Sequence, residues 1–334
     1  MNQIKNVWTW TGGGGTVEQA FTMAEILLSL TIIGVVAAIT LPSLTGNINE
    51  RTWNTQRKAL YARISQAIAL MPAVNGYGTL EGTISDDGTQ TILQDNAAET
   101  FVTAGLSKVL KINNICDSEN LKDCGIPSKI TTMDNRNLSD FTSSMNTLVG
   151  FNSMFNGSAP NQVYSRQLDT KAAAFETANG ESILVYYNPR CMSDTKIVDA
   201  NYTQPYMCAN FVYDLNGTKG PNTMGKDIGF ITVMYPSDPV VVAPMPEPIA
   251  SVGAAKHIDA TRFCTNQNNE SRLPSRDELM AMFYNKLLLT QSNSYYWSTT
   301  LGEKPDTAYH VRFSSGSRHL GSRDGQYAIW CIKR

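Results

Sequence analysis

The stretch from Phe21 to Leu44, FTMAEILLSLTIIGVVAAITLPSL, constrains this chain more than any other, because its only charge is Glu25. A helix rises about 1.5 Å per residue, so roughly 20 apolar residues match a hydrocarbon core about 30 Å thick. The run is therefore expected to sit in a bilayer. The preceding MNQIKNVWTWTGGGGTVEQA is polar and Gly-rich, with Lys5 as its sole basic residue, unlike the basic start of an ordinary secretory signal. A lone carboxylate near one end of an apolar helix is costly, so Glu25 is expected to have a partner and a function. Pro42 removes a backbone donor and is expected to kink the helix. Beyond it the pattern turns amphipathic, with Leu60, Ile64, Ala67, Ile68 and Met71 at three- and four-residue steps. Asn75-Gly76 offers a stop. A helix of about 50 residues would approach 75 Å in length.

The charged fraction of 17% and the formal net charge of -2 leave no global field drawing the chain to nucleic acid. The six cysteines, Cys116, Cys124, Cys191, Cys208, Cys264 and Cys331, contain no Cys-x-x-Cys pair and have no nearby His to complete a zinc site. Disulfides are the better reading. Proximity in sequence favours Cys116 with Cys124 and Cys191 with Cys208, leaving Cys264 for Cys331. Such pairing implies an oxidising compartment such as the bacterial periplasm. His257, His310 and His319 show no metal-ligand spacing, and no nucleophile, base and oxyanion constellation can be assembled, so no catalytic residue is assigned.

Residues 76–235 read as a mixed, loop-rich domain with strands expected at 182–187 (SILVYY), 211–214 and 228–235. The segment DLNGTKGPNTMGKD, Asp214 to Asp227, gathers Asp214, Asn216, Asn222 and Asp227 among glycines and a proline. Oxygen side chains at this density suit calcium, although no Glu closes an EF-hand pattern. Asx and Gly turns explain the same letters without an ion, and both readings stay open. The run PSDPVVVAPMPEPIA cannot hold a helix, and residues 236–250 are read as a semi-rigid linker. In residues 251–334, Ser275 and Glu278 form a capping box for a helix expected to reach about Leu287. Strands are expected at 295–300, 308–313 and 327–334.

The run AEILLSLTIIGVVAAITLPSL, with the polar leader ahead of it, resembles the class III signal of type IV pilins and type II secretion pseudopilins. In that family a prepilin peptidase cuts before the apolar run and methylates the new N-terminus. The matching cut falls between Ala20 and Phe21, making Glu25 the fifth mature residue and Pro42 the twenty-second. Ala20 stands where the family usually has Gly, and the leader lacks a basic residue near the junction. The resemblance implies that Glu25 pairs with the positive N-terminus of Phe21 on a neighbouring subunit during assembly. The loop from Asp214 to Asp227 also looks like one found in many bacterial pilin-like proteins.

The order RLPS-x-x-EL, YWSTT, a V-x-F strand, Gly and a terminal strand bearing Cys331 resembles bacterial C-type-lectin-like domains of the DUF1566 and fibrobacter major-paralogous group. Cys264 and Cys331 fit the long disulfide of such folds. The Glu-Pro-Asn and Trp-Asn-Asp calcium motifs of sugar-binding lectins do not occur at these positions, so no carbohydrate site is carried over. Tyr295, Tyr296, Trp297 and Arg312 are candidates for a recognition surface.

Together these readings predict an α+β chain: a leader over 1–20, a long assembly helix over 21–75 packed on a small sheet domain over 76–235, the linker over 236–250, and a C-type-lectin-like module over 251–334. The expected protein is a pilus subunit of the minor, adhesin-like kind. It would be a single-pass inner-membrane precursor before joining a periplasmic or surface filament. Its expected partners are other pilin subunits, the peptidase, and an extracellular receptor or glycan. Calcium is an optional ligand. The alternatives are a secretion pseudopilin and an exported, membrane-anchored enzyme on a lectin-like fold.

Overall fold

The computed structural model describes residues 23–75, 96–147, 171–187, 206–235, 240–242, 251–267, 271–289, 294–314 and 316–333, with positions 25, 37–50 and 72–75 of the first helix described by backbone alone. Ala20, Phe21 and Cys191 therefore lie outside the described residues, as do the side chains of Glu25 and Pro42. Two compact units are distinguished, Met1–Arg51 and Thr52–Arg334.

The elements in chain order begin with helix α1 (Met23–Asn75), helix α2 (Ala97–Thr100) and strand β1 (Ile112–Cys116). Next come β2 (Ile130–Thr131), β3 (Asn137–Leu138), helix α3 (Phe141–Ser144), β4 (Ala173–Thr177), β5 (Ser182–Tyr187) and β6 (Tyr206–Asp214). They are followed by β7 (Ile228–Tyr235), β8 (Val240–Val242), β9 (Ser251–Ala255), helix α4 (His257–Gln267), β10 (Ser271–Arg272), helix α5 (Arg276–Tyr284) and helix α6 (Lys286–Leu289). The chain closes with β11 (Tyr295–Leu301), β12 (Thr307–Arg312), β13 (Arg318–Ser322), β14 (Tyr327–Trp330) and β15 (Ile332–Lys333).

A six-stranded antiparallel sheet in the order β1-β4-β5-β6-β7-β8 organises the larger unit. Its central strand SILVYY is buried at every position. A strand covered on both faces reads as a continuous apolar run rather than an alternating one. Ile183, Val185 and Tyr187 pack with Leu60, Ile64, Ala67, Ile68 and Met71 of α1 and with Phe101 and Val102. Leu184 and Tyr186 face the other way, into a core shared with Leu121, Phe141 and the α5 residues Leu279, Met280 and Phe283.

A five-stranded sheet, β13-β12-β11-β14-β9, follows, with β11 and β14 parallel and the other neighbours antiparallel. Tyr296, Phe313 and Trp330 join the core that contains α5, whereas Trp297 and Ile329 pack with Ala260 and Cys264 of α4. The α5 N-terminus is built as its sequence implies. Ser275 Oγ accepts from the Glu278 N–H at 3.2 Å, and a Glu278 carboxylate oxygen accepts from the Ser275 N–H at 2.7 Å. Arg272 grips the same carboxylate with two nitrogens, at 2.7 and 2.6 Å. The helix stops at Tyr284, short of the expected Leu287, and α6 follows.

Disulfides join Cys116 to Cys124, the pair that proximity favoured, and Cys264 to Cys331, the pair then left over. Cys208 is also disulfide-bonded.

Three expectations require correction. The α+β class does not describe the fold: beyond α1 the helices are short, and most of the ordered framework is β, in sheets of six and five strands with two further two-stranded ribbons. The physical reason lies in the β-branched and aromatic runs of β5, β6, β7, β11 and β12, which pair edge to edge and leave the short helices to cover sheet faces. The sheet expected to be small, carrying one long helix, is six-stranded and covered on both faces. The single-pass membrane precursor is overturned as well: among the described residues no helix is long and apolar enough to cross a membrane. Finally, within the stretch read as a linker, Val240–Val242 forms β8 at the sheet edge, paired with β7.

A buried polar network ties the six-stranded sheet to α5. Asn210 Nδ2 donates to Asn285 Oδ1 at 3.0 Å, and Asn285 Nδ2 donates to Thr232 Oγ1 at 3.1 Å and to Ala281 O at 2.9 Å. Thr232 Oγ1 in turn donates to Asn210 Oδ1 at 2.7 Å. Replacing Asn285 by Ala orphans Asn210 and Thr232, at about 1–3 kcal/mol for each buried group left unpaired. Chemical denaturation of Asn285→Ala should therefore show one cooperative transition at a markedly lower midpoint, reported alike by probes in both sheets. A midpoint equal to that of wild type would mean that the network contributes nothing to stability.

Candidate functional site

The N-terminal part of α1 presents apolar side chains to solvent without a polar face. Ile26, Leu27, Leu28, Leu30, Ile32, Ile33, Val35 and Val36 are all exposed, Leu28 at 62% and Ile33 at 64%. Successive helical positions turn by about 100°, so these residues populate every side of the cylinder. Thr31 does not interrupt this surface, because its hydroxyl donates back to Leu28 O at 2.8 Å. Chemically the segment can do one thing, which is to be enclosed by other apolar matter.

The loop between β6 and β7 gathers several buried oxygen atoms. Asp214 and Asp227 are 2% and 0% exposed. Asp227 is held by the turn it closes, its two oxygens accepting from the N–H groups of Asn222 and Thr223 at 2.8 Å each. One oxygen of Asp214 accepts from the Asn216 N–H at 3.0 Å, and the other, Oδ2, has no partner. Asn216 donates its amide to Gly220 O at 2.8 Å, leaving its own Oδ1 buried and unpartnered, and Asn222 Oδ1 is in the same state. Burial pushes the Asp214 carboxyl up to about 7, and the charge of Asp227 adds to the push against the N–H donors of Asn216 and Gly217. Asn222 adopts a left-handed backbone, as do Gly217 and Gly220, so Asx and Gly turn chemistry does shape the loop. From α1, Arg57 donates to the carbonyls of Gly225 and Lys226 and to Asn54 Oδ1. The sequence placed all four oxygen residues in one loop. It did not show that Arg57 anchors it.

Of the four residues expected to form a recognition surface, Tyr296 and Trp297 are buried. Tyr296 is 4% exposed, packed between Phe313 and Trp330, and Trp297 is fully buried with its indole N–H donating to Ala255 O at 2.8 Å. Both are core residues, because alternation along β11 sends them to opposite faces and both faces are covered. Tyr295 and Arg312 do stay near the surface as a cross-strand pair, the guanidinium carbon 5.5 Å from the ring centre.

The structure also assembles what spacing alone concealed. The β12–β13 hairpin sets His310 opposite His319, with rings stacked at 5.5 Å, and Tyr327 stacks on His310 at 4.0 Å. His257 meets the edge of Trp297 and donates to Ser298 O at 2.9 Å. The alternating letters on either side of the SSGS turn were the available signal for the His310–His319 pairing. Among the described residues no group of three or more His, Cys, Asp or Glu side chains is arranged to hold a metal.

No protein-family model and no curated protein matches the chain.

Burial pushes the His310 imidazole down to about 4, with His319 adding to the effect, and burial lowers His257 and His319 as well. A folded pKa below the unfolded value of about 6.5 means that the unfolded chain takes up protons first as pH falls. The contribution of the neutral rings is thus complete above pH 6.5 and is lost as pH falls toward 4. Thermal melts between pH 7 and 4 should show Tm declining across this window, with a shallower decline for His310→Gln. Parallel curves for the two proteins would contradict the assignment.

Proposed function

We propose that this chain is a structural subunit of a helical protein filament, of the pilin-like kind, whose copies associate through the N-terminal part of α1. The observation that carries the proposal is the exposed apolar surface of Ile26–Val36 on all sides of that helix. Enclosing each Leu, Ile or Val side chain is worth about 1.5–3 kcal/mol, and a helix apolar all round belongs inside an assembly rather than beside a single partner. One neighbouring face cannot cover a full cylinder. A head-to-tail stack of identical subunits surrounds each helix with several others and grows as an open filament.

The likeness of residues 21–44 to a prepilin N-terminus supports the same reading, with removal of the segment ahead of Phe21 by a prepilin-type peptidase and Glu25 selecting a neighbour's new N-terminus. The described disulfides support maturation in an oxidising compartment. The bulk of Thr52–Arg334 favours sparse or tip positions, where a large folded unit does not have to pack on every subunit. Its partners are other pilin-like subunits, and exposed groups such as Arg312 are available to an outside receptor.

Sheared filaments from cells expressing variants test the proposal. Ile32→Asp places an unpaired carboxylate in the enclosed helix, at a cost of several kcal/mol, and 1.4 kcal/mol is already about tenfold in occupancy. Incorporation should fall at least tenfold, and Glu25→Leu should also fail to enter. Both variants should keep the two described disulfides and the melting behaviour of Thr52–Arg334. Entry of Ile32→Asp at the wild-type ratio would remove the basis of the filament reading.

A further inference from the structure

We propose that the loop joining β6 to β7 is a calcium site whose ligands are the side-chain oxygens of Asp214, Asn216, Asn222 and Asp227. This goes beyond the filament reading and stands or falls separately from it. The argument begins with two like charges held near each other where water does not reach: Asp214 is 2% and Asp227 0% exposed. Side-chain cations of the neighbourhood do not neutralise them. Lys219 and Lys226 are exposed, and Arg57 spends its donors on Asn54 and on the carbonyls of Gly225 and Lys226.

The second observation is independent of the charge. Asp214 Oδ2, Asn216 Oδ1 and Asn222 Oδ1 are each buried and each without a hydrogen-bond partner, within a single nine-residue span. Buried acceptors of native proteins are nearly always satisfied, and three orphans in one turn call for a common explanation. The loop's own bonds fix which atoms are left over. Asn216 is oriented by its donation to Gly220 O, so the amide oxygen, not the nitrogen, is spare. Asp227 is oriented by the N–H groups of Asn222 and Thr223, each occupying only one lone pair of an oxygen. The loop is pinned at its rim by Thr131, whose N–H donates to Asn222 O at 2.9 Å and whose carbonyl accepts from the Met224 N–H at 2.9 Å.

Carboxylate and amide oxygens are hard donors suited to calcium or magnesium. Burial decides between them. A cation held by these atoms must shed most of its water, which magnesium does reluctantly, whereas calcium accepts a cage of six to eight protein oxygens in flexible geometry.

The test uses the full-length chain, stripped with EDTA and melted in EDTA, in CaCl2 or in MgCl2. At calcium about 100-fold above the dissociation constant, Tm should rise by roughly 5 °C over the EDTA sample, with a much smaller rise in magnesium. Asp214→Asn keeps the shape of the side chain while removing its charge. It should melt in EDTA no lower than wild type, and calcium should leave its Tm unchanged. If CaCl2 does not move the wild-type Tm, or if Asp214→Asn responds to calcium as wild type does, the site is refuted and the loop is a turn whose Asp214 carries a proton. Failure of filament incorporation in α1 variants would leave this result untouched.

Discussion

Asn210 and Asn285 face each other in a fully buried amide pair, with Thr232 closing the triangle, and this contact ties the six-stranded sheet to α5. Asn210 and Thr232 are cross-strand partners on β6 and β7, while Asn285 sits at the C-terminal end of α5. Apolar packing alone would let α5 slide or rotate on the sheet at small cost. A network in which the amides and the hydroxyl find partners admits one register, because a shift of one residue would leave several buried groups unpaired. The placement of α5 then sets the second sheet, since Leu279, Met280 and Phe283 share their core with Tyr296, Phe313 and Trp330.

That same pair of strands carries the oxygen-rich loop. β6 and β7 run antiparallel through eight paired positions, from Tyr206 opposite Tyr235 to Asp214 opposite Ile228. Their ends are therefore fixed before the loop begins, and Asp214 and Asp227 are delivered to the same place by the ladder. The N–H groups that hold Asp227 come from residues whose own backbone is tied to β2 through Thr131. A rigid frame of this kind can hold two acidic side chains close together. A flexible loop would let them part into solvent.

How much of this was legible in the sequence depended on whether the signal was local. The SILVYY strand, the Ser275–Glu278 capping box and the Cys116–Cys124 bridge each lie within a few residues, and each is where the letters put it. The four oxygen-bearing residues of the Asp214–Asp227 loop were visible as composition, but which oxygens are left unpaired could be known only from coordinates. Long-range events were hidden. The apolar face of α5 reads equally well as the core of a separate C-terminal module, and nothing in its spacing says that it packs beneath β6 and β7. Pro236, Pro239 and Pro244 argued for a linker, yet Val240–Val242 between them is compatible with an edge strand, where proline's missing donor is tolerated. The aromatic run at 295–297 looked like a surface because alternation marks two faces and cannot say that both are covered.

The two compact units solve opposite problems. Among the described residues, Thr52–Arg334 buries most of its large apolar side chains on both faces of both sheets and adds covalent bridges. The described side chains of Met23–Val36 bury none of their large apolar groups within the chain. Folding cannot have selected that surface, since leaving it in water opposes stability and solubility alike. On the filament reading proposed above, association explains its retention, and the absence of a polar face limits what kind. An amphipathic helix is satisfied by one neighbour, but a helix apolar on every side is satisfied only when several surround it. Repetition of the same subunit, as proposed, would supply those neighbours without any further chain, and it would leave the second unit to carry whatever chemistry the assembly presents.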